Sequence, residues 1–282
     1  MNLLKSCPNE CKSNLQPSGI IVSEGELNEC LSCGQLISSC SKSYYEKSNQ
    51  KWNSEEGTWP SEKNSLRLVK RRTIDIRNIA NLLCKNYSDI NILDVGSSNG
   101  SFVSIAKGLG LQAEGVDPSE KAVAAGLKKG LKLHIGFLND VAFSDNSFDA
   151  ITLHEVIEHV ADPVSLLKEC ARVLRPGGIL LVGTGNTDSW TRKVKKNKWD
   201  FFDMNKHGGH INFFSPKSLR ILAPRVGFSV TKVLTHSVKF YEKGEVPNIF
   251  YRIIKIFTEL LNLPAKILNK GHQMEVYLRV EK

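Results

Sequence analysis

From Ile90 onward the chain alternates short apolar runs with helix-patterned stretches, a rhythm that restricts it to an open, mostly parallel sheet. "NILDVG", "QAEGVD", "LKLHIG", "FDAITL" and "ILLVGT" read as five successive strands. The spacing predicts a helix over Phe102–Leu109, then one opened by Pro118 and Ser119 and closed by Gly130. A third covers "DPVSLLKECARVL", with Asp162 as N-cap and Pro163 just inside it. Further on, "SPKSLRILAPRVG" reads as a helix that Pro224 must bend or end, and "FSVTKVLTHSVKFY" and "HQMEVYLRV" as late strands. Upstream, apolar spacing from Leu66 to Leu83 predicts a helix leading into this domain.

The first strand runs into "DVGSSNG", a turn of the kind that passes under a nucleotide. A phosphate loop would need Gly-Lys-Ser/Thr at its end, and none is present. A dinucleotide loop would need glycines at 96, 98 and 101, but 98 and 101 are serines. What fits is Asp-x-Gly-x-small-x-Gly, carried by Asp94, Gly96, Ser98 and Gly100. Asp117 closes the next strand, where a carboxylate can accept both hydroxyls of a ribose. Loop and acid together imply an adenosyl ligand without a pyrophosphate, which points to S-adenosylmethionine. The same residues also suit a plain strand-to-helix turn with Asp117 as a helix cap.

The seven cysteines do not form a disulfide framework. Cys7-x3-Cys11 and Cys30-x2-Cys33-Gly read as two knuckles offering four thiolates to one structural zinc, although the first pair is one residue wider than usual. Residues 1–45 have few large apolar side chains, so a metal would supply the cohesion that burial cannot. Cys84 and Cys170 fall in apolar helical patterns and are expected to be buried thiols. The expected organisation is a ribbon over 1–45, a linker and lead-in helix over 46–88, and the main domain over 89–282, with Gly57 and Pro60 in the linker.

The segment "DNSFDAITLHEVIEHVADPVSLLKECARVLRPGGILLVGTGN" resembles class I S-adenosylmethionine-dependent methyltransferases, and the likeness extends from Ile90 to about Gly227. The ribbon, the "SYYEK" that follows it and "GGHINFFSPKSLRILAPRVGF" are similar to a zinc-ribbon-bearing branch common in bacterial glycan, lipopolysaccharide and secondary-metabolite pathways. The resemblance implies an α/β fold: a Rossmann-like seven-stranded sheet preceded by a zinc ribbon. Gly96 and Gly100 would line the methionine moiety, Asp94 would hold the loop, and Leu138 and Asn139 would meet the adenine. Ser98 replaces the middle glycine, and being small it should restrict the turn without abolishing binding. His154, at the end of the fourth strand, would stand beside the methyl group.

Methyl transfer to oxygen benefits from a base, and histidine suits it. His154 and His210 are the first candidates, with His159 and His207 nearby. Glu155, Glu158 and His159 would share a helical face able to hold a divalent cation, a feature the similar ubiquinone-pathway enzymes carry.

The net charge of +9 is uneven: residues 1–186 carry 20 Lys+Arg against 21 Asp+Glu, and residues 187–282 carry 18 against 8. "WTRKVKKNKWDFFDMNKHGGH" interleaves cations and aromatics where a lid over the acceptor would lie. That suits a phosphate-bearing sugar or lipid-linked acceptor, and also RNA. "NIFYRIIKIFTELLNLPAKILNK" is amphipathic, with apolar residues at 249, 250, 253, 254, 257, 260 and 261. Residues 248–268 could thus lie on an anionic membrane, or cover the sheet or a dimer partner. Nothing near the start has the pattern of a signal peptide, so the expectation is a cytoplasmic protein, at most peripheral to the inner membrane face.

Overall fold

The computed structural model describes residues 2–12, 14–54 and 62–282. Gly57 and Pro60, expected in a linker, lie outside the described residues.

The N-terminal part is strand-rich: β1 (Leu15–Val22), β2 (Gly25–Cys30) and β3 (Leu36–Ile37) pair antiparallel in order. Residues expected as the start of a linker are instead helical in α1 (Lys42–Ser54). The lead-in helix, α2 (Glu62–Leu83), buries Ile76, Ile79 and Ala80 against the main sheet. Cys84, expected buried, sits just past that helix in a left-handed conformation (φ 54) and is exposed.

The main sheet begins with β4 (Asn91–Val95), α3 (Ser101–Gly108), β5 (Gln112–Asp117), α4 (Glu120–Leu127) and β6 (Leu133–Ile135). Then come β7 (Phe148–His154), α5 (Pro163–Val173) and β8 (Leu174–Gly185). Both expected caps form: the Ser119 hydroxyl accepts the Ala122 amide, and Asp162 accepts that of Ser165 with Pro163 at the first position. After β8 come α6 (Trp190–Lys195), α7 (Met204–His207), β9 (Asn212–Phe213) and α8 (Pro216–Leu222). Pro224 falls in the tighter 3-10 turn Ala223–Val226 that ends α8. The chain finishes with β10 (Phe228–His236), α9 (Asn248–Ile267) and β11 (Gln273–Val280).

The seven-stranded sheet has the order β10-β11-β8-β7-β4-β5-β6, with β11 antiparallel to both its neighbours and the other pairings from β8 to β6 parallel. Its two faces are covered by separate cores. One packs Leu93, Ile151 and Leu153 against α5 and α8, and the other packs Ile92 and Leu181 against α2 and α3. Parallel strands leave all their carboxyl ends on one edge, so β4, β5, β7 and β8 open together on one crevice.

The two expected domains are joined more closely than their separation in sequence suggests. Leu36 and Ile37 of β3 pair with Phe213 and Asn212 of β9, so the N-terminal sheet has the order β1-β2-β3-β9. The Tyr45 hydroxyl of α1 donates to the His159 carbonyl at 2.5 Å, and the Gly209 amide donates to the Ser48 hydroxyl at 3.0 Å. The insert after β8 thus adds a strand to the N-terminal sheet.

Candidate functional site

At the end of β4 the chain turns sharply. Gly96, Ser98 and Gly100 all have positive φ, at 74°, 49° and 80°. A Cβ on Gly96 would lie 2.4 Å from Val156 Cγ2, so only glycine fits there. Ser98 adopts the left-handed conformation that glycine would take without cost, and its amide donates to Asp117 Oδ2 at 2.8 Å. The Ser119 amide donates to Asp117 Oδ1, also at 2.8 Å. Asp117 therefore ties the glycine turn to the start of α4 and keeps its remaining lone pairs toward the crevice. Desolvation still raises its pKa above the usual carboxylate value. Asp94 is buried, accepts the Thr152 hydroxyl at 2.7 Å, and is pushed up to about 7 by that burial. Leu138 turns its side chain into the core, while Asn139 beside it is exposed.

His154, expected beside the transferred methyl as a base, lies at the end of β7 in contact with α2 and α3. Its ring is tilted against Phe102 at 5.5 Å, and Arg72 of α2 donates to its Nδ1 at 2.7 Å. Arginine can only donate, so Nδ1 holds the lone pair and Nε2 the proton. Burial, with Arg72 and Arg71 next, drives its pKa well below the ordinary value. The Nδ1 lone pair is thus committed to Arg72, and Nε2 is buried without a hydrogen-bond partner among the described residues. Arg72 also pairs with Asp75 at 3.0 Å. The sequence reading missed both residues; the signal available was an Arg and an Asp three apart on a helix whose next turn is apolar.

Past β7, Glu155 takes a left-handed conformation (φ 55), and only Ile157–His159 coil, as a 3-10 turn. The helical face expected for Glu155, Glu158 and His159 is therefore not formed. Instead Glu158, His159 and His210 converge, with one potential ligand atom from each within 4.8 Å of the others. His159 and His210 stand edge to face at 4.6 Å, and His207 stacks on His210 at 5.1 Å. The His210 Nδ1–H donates to the Phe201 carbonyl at 2.8 Å, which leaves Nε2 as the lone pair.

Glu158 is 1% exposed, and neither of its carboxyl oxygens has a hydrogen-bond partner among the described residues. Glu155 and Thr184 approach it without completing a bond. Burial, then Glu155, drives its pKa well above the ordinary value. His159 is pushed down to about 4 by burial and then His207, and His210 well below its usual value by burial and then His159. Burial therefore disfavours the charged form of all three groups, the carboxylate of Glu158 and the imidazolium of His159 and His210. Ionised, the same three groups offer one carboxylate oxygen and two imidazole nitrogens, a donor set that suits a divalent cation. Val156 lies against Gly96, so the donor turn and this cluster share one crevice.

A cavity of about 480 Å³ opens between the β1–β2 turn, the insert after β8 and the segment that precedes α9, and none of Glu158, His159 and His210 lines it. Lys195, Lys198, Trp199, Asp200 and Lys206 are on its wall, and Asp200 acts electrostatically on Glu155 and His207.

At the far end of the N-terminal sheet the sulfurs of Cys7, Cys11, Cys30 and Cys33 all lie within 4.8 Å of one another. The Gly34 amide donates to the Cys30 carbonyl at 2.7 Å, and Gly34 takes the left-handed conformation (φ 70) a knuckle needs. Cys33 is lowered to about 5, chiefly by the hydrogen bond with Cys7, while Cys7 and Cys11 are pushed up, Cys7 chiefly by that same bond and Cys11 by burial, so the cluster favours one thiolate shared by neighbouring thiols. Four soft donors at this spacing fit a closed tetrahedral zinc site. The seven cysteines include no disulfide.

This fold, with a nucleotide turn and an acidic strand end on one crevice, defines a methyltransferase-type α/β protein. The profile of the methyltransferase domain family matches residues 67–233, more than half of the chain, and the chain belongs to that family. Over 106 residues it is 35% identical to a ubiquinone biosynthesis O-methyltransferase of Parvibaculum lavamentivorans, 36% of this chain and 42% of that protein. The chain thus spans less than half the length of that relative. It is 29% identical over 160 residues to the uncharacterized protein MJ1123 of Methanocaldococcus jannaschii, covering 55% of this chain and 73% of that one. A SAM-dependent methyltransferase from Archaeoglobus fulgidus superposes with a TM-score of 0.53 at 18% identity, over 84% of this chain and 99% of the other, a likeness of fold.

Proposed function

We propose that the protein transfers the methyl group of S-adenosylmethionine to an oxygen of a small-molecule or glycan-like acceptor. The observation that carries this is the pair of features at the ends of β4 and β7: a glycine turn anchored by Asp117, and the His159, His210 and Glu158 side chains converging within 4.8 Å of one another. The donor supplies an electrophilic methyl on a sulfonium. Gly96 and Gly100 admit it close to the backbone, and Asp117 accepts the ribose hydroxyls. A neutral imidazole, His210 Nε2 or its neighbour His159, takes the acceptor's proton as the new oxygen–carbon bond forms. Burial of both rings excludes water as a competing acceptor.

The O-methyltransferase name of the ubiquinone relatives supports oxygen as the methylated atom. The cavity wall mixes Lys195, Lys198 and Lys206 with Asp200, Asp203, Glu242 and Glu245, and Lys195 pairs with Glu245 at 3.3 Å, a balance of charge that suits a polar, hydroxyl-rich acceptor such as a sugar. The four cysteines hold one structural zinc with no open position, which closes the N-terminal sheet and takes no part in transfer.

Three measurements test this. Calorimetry with S-adenosylmethionine should give one binding event per chain, and its absence would remove the reading at its root. Labelled donor incubated with a cell extract should mark the sugar or lipid-linked fraction; label confined to RNA would overturn the acceptor class. Metal analysis of protein prepared without chelator should find one zinc per chain.

A further inference from the structure

The helix α9 presents an apolar surface away from the protein. Ile249, Ile253, Leu260 and Ile267 lie along the centre of its outer face, and Phe250 and Phe257 along one edge. With Ile256 and Leu263 they are 55–77% exposed and span an arc of about 140°. The sequence pattern treats 249, 250, 253, 254, 257, 260 and 261 as one stripe. The structure divides it: Ile254 and Leu261 turn partly inward beside buried Thr258 and Ala265, and the rest face out. The helix therefore buries one face against the body and leaves a second apolar face uncovered. An isolated exposed leucine is ordinary, but a contiguous run of large apolar residues over five turns marks a contact surface.

Charge identifies the contact. Arg252, Lys255 and Lys266 all lie along the same border of the outer arc, with Glu259 the sole acid of the helix. Glu259 pairs with Lys255 at 3.8 Å, and among the described residues Arg252 and Lys266 have no acidic partner. The last third of the chain carries an excess of 10 positive charges, so two copies meeting through this face would bring like charge against like. No helix among the described residues is long and apolar enough to cross a membrane. We propose that α9 is an interfacial anchor, lying in the plane of an anionic phospholipid surface. Its outer side chains enter the acyl boundary, and Arg252, Lys255 and Lys266 meet the headgroups. This does not depend on the acceptor assigned above.

Vesicle flotation tests it. Wild-type protein should float with vesicles of phosphatidylcholine containing about one-third phosphatidylglycerol, and weakly or not at all with phosphatidylcholine alone. High salt should weaken the binding. The double variant Ile253→Glu/Leu260→Glu should lose at least about tenfold in vesicle affinity. Its circular dichroism and S-adenosylmethionine binding should match the wild type, which separates loss of the anchor from loss of the fold. In Phe257→Trp, brominated lipids should quench the new tryptophan. Equal flotation of variant and wild type, or no flotation with anionic vesicles, would overturn the proposal. So would a wild-type dimer, seen by light scattering, that the double variant makes monomeric, since the face would then belong to a second copy.

Discussion

Asp117 and Glu158 are carboxyls at the mouth of the same sheet, and the fold serves them differently. Asp117 accepts backbone amides from Ser98 and Ser119, so its position is set by the chain's own path. Among the described residues Glu158 has no hydrogen-bond partner for either oxygen, and it is buried beside another acid. A buried polar group without a partner costs about 1–3 kcal/mol, and such costs persist where a ligand is to satisfy them. The proposed donor side is preorganised in backbone; the proposed acceptor side is held unsatisfied by what packs around it. That packing includes α1, β9 and the N-terminal sheet, which are tied to the cluster through Tyr45 and the β3–β9 pair.

The largest effect that would break this comparison is removal of the proposed zinc. Structural zinc contributes on the order of 10 kcal/mol in small ribbon-like units. Cys33→Ser, or chelation, should melt the N-terminal sheet and abolish turnover while changing donor affinity by less than about threefold. Hydrogen exchange and calorimetry read the two separately. Equal loss of both would mean that the halves are not independent.

Glu158→Gln comes next. If the Glu158 carboxylate receives the proton that His210 takes from the acceptor, kcat should fall by about 10²- to 10⁴-fold with donor affinity nearly unchanged, whereas a neutral carboxyl that only packs would leave kcat alone. The same change should stabilise the fold by about 1–3 kcal/mol at pH 8, because an amide replaces a carboxyl that burial disfavours when charged. The sign follows from the raised pKa. The native state holds the Glu158 proton more tightly than the unfolded chain, so wild-type stability should fall as pH rises from the ordinary glutamate range toward the raised value. Thermal melts across pH should show this slope in the wild type and a shallower one in the variant.

Asp117→Ala should weaken S-adenosylmethionine binding by about 1.5–3 kcal/mol, the cost of hydrogen bonds to a charged group, and should leave the melting of the N-terminal sheet alone. The smallest effect belongs to Ser98→Gly. Relief of the left-handed strain, partly offset by glycine's backbone entropy, should stabilise the protein by about 0.5 kcal/mol with donor affinity within about twofold. A large loss of affinity would mean that the serine hydroxyl, and not its amide, does the binding.

The donor side was legible because its determinants are local. The turn needs small residues at fixed offsets from one strand, and the caps at Ser119 and Asp162 need one side chain each. The sheet was legible from alternation, since strands buried on both faces are continuous apolar runs. The acceptor side was not, because its determinants come from distant parts of the chain. A two-residue strand such as Asn212–Phe213 leaves no periodic trace, and its pairing with Leu36 and Ile37 is a long-range choice. α1 shows little apolar periodicity and reads as linker. His154 looked free in the sequence because nothing local announces Arg72 of α2 beside it. Glu158, by contrast, sat in the expected motif, but its neighbour His210 could be found only in three dimensions.

The β3–β9 pair also bears on how the protein is made. Leu36 receives its partner Phe213 from about 180 residues further along the chain. At a synthesis rate of about 5–20 residues per second, the N-terminal sheet waits roughly 10–40 seconds for its last strand. During that interval its edge is open and its cysteines are accessible to oxidants and stray metals. Early acquisition of the proposed zinc would protect the nascent chain, so the sulfur cluster would serve biogenesis before the fold is complete.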